Sequence, residues 1–158
     1  MKFGRAALAG VTGGVAMTIL AWIVRQMGID MNPEMMFGTM FTSGSGAWIA
    51  GFAMHMMFSI GFALIYAWGF ERLVHRADAF VGLGFAVVHV IVAGLAMALI
   101  PIVHPMIPEQ MPAPGAFLAN MGLTFVGLFL LEHLMYGAIV GALYGPVRHP
   151  AAPRPVTA

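Results

Sequence analysis

A chain of 158 residues that is 61% hydrophobic and only 8% charged cannot cover a water-facing surface, which takes about 25% charged residues in soluble domains. The net charge of +1 says nothing about nucleic acid, but no basic cluster is present to meet a phosphate backbone, so no nucleic-acid partner is expected. The absence of Cys removes disulfides, thiolate zinc, iron–sulfur clusters and covalent haem, and leaves His, Met and carboxylate as metal ligands.

Four apolar stretches, over Ala6–Val24, Ala47–Phe70, Ala79–Val103 and Phe117–Tyr144, match the roughly 20 residues a helix needs to cross the hydrocarbon layer. The first follows Lys2 and Arg5 like a signal sequence, but no small-x-small cleavage site follows, so it reads as a retained span. Between the first two spans lies a segment rich in Pro, Gly and Met, from Gln26 to Gly46. A short polar loop, Glu71–Asp78, joins the second span to the third, and a second Pro- and Met-rich segment, His104–Gly115, precedes the fourth. The tail over 146–158 carries four prolines, cannot continue a helix and reads as disordered.

Charge sets the expected orientation. With the N-terminus inside, Lys2, Arg5, Arg72, Arg76, Arg148 and Arg154 fall on the cytoplasmic side and only Arg25 falls outside. The expected architecture is an all-α, four-helix bundle in the inner membrane, with both termini in the cytoplasm and the lipid bilayer as its constant partner. Trp22, Trp48 and Trp68 fall at the span ends, where amphipathic rings prefer to lie.

The two halves resemble each other. His55 opens the run HMMFSIGFALIY and His133 opens HLMYGAIVGALY, so Phe58 matches Tyr136, Ser59 matches Gly137, Ala63 matches Gly141 and Tyr66 matches Tyr144. Upstream, Met31-Asn-Pro-Glu34 matches Met106-Ile-Pro-Glu109. Two tandem hairpins in parallel repeat account for that order, and such repeats place sites near their interface. Convergence on small-xxx-small packing is the competing account.

Counting the helical rise of about 1.5 Å per residue places His55, His89 and His133 about 15–22 Å above the inner boundary, close to the midplane on three different spans. Met17 and Thr18 of the first span reach the same depth. Glu132 is the only acidic residue well inside a predicted span, and a carboxylate there costs about 2.5–3.5 kcal/mol, so it is expected to face the bundle. Adjacent helical residues point about 100° apart, so Glu132 and His133 cannot share a ligand direction. Ordinary interhelical hydrogen bonding explains one such histidine well, and three at one depth beside a Glu poorly.

Imidazole suits copper, zinc, iron and nickel, and thioether sulfur selects reduced copper. His55, His89 and His133 are therefore the candidate metal ligands, with Glu132, Thr18 and Tyr136 as supporting or proton-handling groups. His104, Met106, Met35 and Met36 form a candidate entry at the outer mouth; Met as plain apolar filler is the alternative. Two histidines on different helices equally suit b-type haem, with Gly51, Ser59, Ala93 and Gly137 making room for the ring. The residues alone leave a copper ion and b-type haem open.

The run HMMFSIGFALIY from His55, the Gly82-Leu-Gly entry to the third span, FAVVH ending at His89, and a fourth span with Glu132 and His133 resemble the YagU-like family of small inner-membrane proteins. The resemblance covers about half the chain and implies a four-helix membrane protein in which the three histidines belong to one fold. The chain departs from that family in its short first outer segment and its Met-rich outer side, so a physiological role does not transfer.

Three function classes follow. The first is a membrane metalloprotein serving redox, metal handling or a larger oxidoreductase. The second is a small transporter or proton conductor using His and Glu132. The third is a structural subunit, partnered by other membrane subunits or by copies of itself. Hydrolytic motifs, a phosphate loop and His-Glu-x-x-His are all missing from the sequence.

Overall fold

The computed structural model describes residues 1–147. The predicted Pro-rich tail from 148 onward, with Arg148, His149 and Arg154, lies outside the described residues. Among those described, all regular structure is helical: α1 (Phe3–Gln26), α2 (Pro33–Gly38), α3 (Ser45–Gly69, prolonged by a π-helical turn Phe70–Val74), α4 (Ala79–Met97), α5 (Ile100–Val103), a 3-10 turn Ala116–Met121, and α6 (Leu123–Tyr144). α1, α3, α4 and α6 are long and apolar enough to cross a membrane. Leu8, Ile49, Phe80 and Leu123 point away from the bundle and are well exposed, an arrangement suited to a hydrocarbon solvent.

Two boundaries differ from expectation. The third span stops at Met97, not Val103, because Pro101 lacks an N–H and crowds the carbonyl four residues back. The fourth begins at Leu123, not Phe117, because Gly122 (φ 106°) breaks the chain direction and Phe117 and Leu118 sit in the left-handed region. The Phe117 ring is seated where a Cβ on Gly94 would be, so α4 itself makes room for that irregular turn.

α1 packs along both α3 and α6, and α6 along α4; α3 and α4 share no extended backbone contact. The four spans thus form a bent row in the order α3, α1, α6, α4. Glycines set the closest approaches. A Cβ on Gly82 would collide with the Gly137 carbonyl, and one on Gly10 would press on Ser59 and Ala63, so Gly10, Gly14, Gly137 and Gly141 serve internal packing. At the end carrying the helix termini, Tyr144 donates to Glu71 at 2.6 Å and accepts from the Lys2 backbone N–H at 3.0 Å. The opposite end carries the two long connections and is called the loop end below.

Candidate functional site

α2 is short, yet its start is written in the sequence. Asn32 caps it by accepting the Met35 N–H at 3.2 Å, and Pro33 occupies its first turn, where a missing N–H costs nothing. α2 lies on α3 so closely that a Cβ on Gly51 would strike the Glu34 carbonyl, and one on Gly38 the Ala47 carbonyl. Two glycines and an alanine therefore let this turn fold back into the bundle, and it carries Glu34 with it.

Glu34 is 0% exposed. Thr18 donates to its Oε1 at 2.7 Å, His55 Nδ1 lies 3.6 Å from the same oxygen, and Arg25 Nη1 lies 3.8 Å from Oε2. Thr18 also stands 3.3 Å from His55 Nδ1, while Arg25 donates to the Met31 carbonyl at 2.8 Å. Burial alone would raise the Glu34 carboxyl, but the His55 ring and the Thr18 hydroxyl outweigh it and hold the group below its ordinary value. In the sequence Glu34 figures only as half of a repeat and Arg25 only as an outer charge. The Asn-Pro-Glu start followed by Gly38 was the available signal for a helix that turns inward.

A cavity of about 630 Å³ runs from a rim at Asp30, Asn32 and Pro112 at the loop end down to Tyr136. His55, His89, His133 and Glu132 all line it. They do so in two groups. His55 belongs with Glu34 and Thr18, whereas His89 and His133 have ring centroids 4.9 Å apart, nearly perpendicular at 80°. His133 Nδ1 donates to the Phe129 carbonyl at 2.8 Å, and since a carbonyl can only accept, Nδ1 carries the proton and Nε2 keeps its lone pair. His89 is stacked on Phe62 at 3.8 Å, with its Nδ1 3.3 Å from the Tyr66 hydroxyl. Among the described residues, no group of three or more His, Asp or Glu side chains converges as a metal cluster.

The 100° step along α6 turns Glu132 and His133 toward different neighbours. His133 faces α4, while Glu132, 3% exposed, lines the same cavity without joining the histidine pair. Glu132 Oε1 has no hydrogen-bond partner, nor does Glu34 Oε2. Tyr136, expected to handle protons, donates to the Ser59 carbonyl and so ties α6 to α3.

Seven methionines line the cavity, among them Met17, Met35 and Met36, but Met106 does not. His104, expected at the mouth, is buried outside the cavity lining with both ring nitrogens in use. Nε2 meets the Met36 carbonyl at 2.8 Å and Thr39 Oγ1 at 3.2 Å, and Nδ1 accepts the Met106 N–H at 3.2 Å. His104 is a clasp between the two long connections. Glu109, matched to Glu34 by sequence, is exposed in a turn.

The chain matches no protein-family model, no curated protein and no solved structure.

Proposed function

We propose that this protein is a membrane metal-handling protein that binds one soft transition-metal ion, copper first, between His89 and His133. The observation that carries the reading is the 4.9 Å ring separation. With a nitrogen–metal bond of about 2.0–2.1 Å, two imidazoles at roughly 90–110° on one ion have centroids about 4.5–5.2 Å apart, and two axial ligands of one haem about 6.3 Å. The pair therefore supports an ion over b-type haem. His133 already has the tautomer a ligand through Nε2 needs, with its other nitrogen held by a carbonyl, and Tyr66 can accept the Nδ1 proton of His89. Thioethers lining the cavity supply the remaining positions for a reduced copper ion and a route from the loop end.

The same reading places the termini in the cytoplasm of the inner membrane, because Lys2, Arg5, Arg72 and Arg76 lie toward the terminal end, and treats the two hairpins as a tandem repeat. The resemblance to the YagU-like family, carried by His55, His89, Glu132 and His133, fits a shared interior of this kind. Copper loading of detergent-purified protein under reducing conditions, followed by elemental analysis, tests it. One equivalent should bind and be lost in His89→Ala and in His133→Ala. Retention in both variants would overturn it, and a Soret band in protein from native membranes would restore haem.

A second reading, proton or ion conduction, is favoured by the unpartnered oxygen of Glu132. Proteoliposome flux that is lost in Glu132→Gln while copper binding persists would select it.

A further inference from the structure

The bent row of spans leaves a seam between α3 and α4. Toward the terminal end aromatic rings close it: Phe62 stacks on His89 at 3.8 Å, and Phe85 packs against Tyr66 at 5.5 Å and Phe70 at 5.0 Å. Toward the loop end, among the described residues, no aromatic pair joins α3 directly to α4; Phe58 of α3 instead meets Phe37 of α2 edge-on at 6.2 Å. There Phe58 of α3 (44% exposed) and Val92 of α4 (52% exposed) both line the cavity, together with the small, exposed Ala96. The cavity thus has a side door at membrane depth, distinct from its rim at Asp30 and Asn32.

What enters by that door must dissolve in lipid. The interior it meets is mainly apolar and aromatic, with Phe62, Phe125 and Phe129 in the wall. It also offers a buried acceptor, Glu132 Oε1, which no protein group satisfies. A buried acceptor left bare is costly, so the complementary guest brings an O–H donor on a flat apolar body. From this geometry we infer that the cavity binds a lipid-soluble hydroquinone, entering between Phe58 and Ala96, with one hydroxyl donating to Glu132. The inference rests on the seam and on Glu132, and stands whether or not the histidine pair takes an ion.

The test uses the full chain in nanodiscs and an anaerobic titration with 2-decyl-1,4-benzohydroquinone, read by equilibrium dialysis against empty nanodiscs. Binding should weaken about tenfold or more for the dimethyl ether of the same molecule, for decan-1-ol, and for the hydroquinone with Glu132→Leu. Ala96 lines the cavity, so the Ala96→Trp indole should fill the space inside the door and weaken equilibrium binding, whereas Leu95→Trp, on the same helix and facing lipid, should leave it unchanged. The Ala96 variant keeps the inference falsifiable if Glu132→Leu does not fold. No binding above empty nanodiscs overturns it. Equal binding of the dimethyl ether overturns it too, as does a hydroquinone affinity indifferent to Ala96→Trp. Equal binding of decan-1-ol overturns it as well, by showing that a lipid chain occupies the cavity.

Discussion

Thr18 Oγ1 donates to Glu34 Oε1 at 2.7 Å, joining the middle of α1 to a helix that enters the bundle from the loop end. Replacing Glu34 by Ala strands Thr18, the His55 ring and part of the Arg25 charge at once. A loss of about 3 kcal/mol is expected, seen as a lower unfolding temperature in detergent. Glu34→Gln keeps the acceptor for Thr18 and should lose about half as much. Because Thr18 and Glu34 share a bond, Thr18→Val combined with Glu34→Ala, which removes the acceptor, should cost less than the two single effects added together. Additive effects would mean the bond contributes nothing.

Gly82 and Gly84 differ by two residues and by everything in their surroundings. A Cβ on Gly82 meets the backbone of α6, whereas one on Gly84 meets nothing within 4 Å. Gly82→Ala should therefore push α4 off α6 and sharply lower folded yield, while Gly84→Ala should be neutral or stabilise by a few tenths of a kcal/mol. Detergent-resistant thermal unfolding of the two variants, side by side, makes the comparison.

Tyr66 touches no ion in the proposed site and acts through His89 Nδ1, 3.3 Å from its hydroxyl. Tyr66→Phe keeps the ring packing against Phe70 and Phe85 and deletes only the acceptor for the His89 proton. Copper affinity should fall about 10- to 100-fold with little change in unfolding temperature. Unchanged affinity would show that Tyr66 only packs.

His104→Ala should do the reverse. With both nitrogens committed to Met36, Thr39 and Met106, its removal should loosen the two long connections by about 1–3 kcal/mol, seen as faster hydrogen exchange at Met106. Copper stoichiometry should hold, because His104 does not line the cavity. Loss of copper in His104→Ala would reinstate it as an entry ligand.

Four apolar runs with almost no charge were enough to determine the spans, because backbone polar groups in lipid have to be satisfied within each helix. Depth counting along a regular helix likewise brought His55, His89, His133 and Glu132 to one level, and all four do line one cavity. What depth could not give was azimuth and partner. That His89 pairs with His133 while His55 turns to Glu34 depends on the order in which the spans pack, and hence on Gly82 against Gly137 and Gly10 against Ser59. Glu34 stood in a connection by every local measure and became a fully buried carboxylate only because Gly38 and Gly51 let two backbones touch. Local sequence sets how far each helix runs; the long-range fit of glycine faces, which no window of the sequence contains, decides which side chains meet.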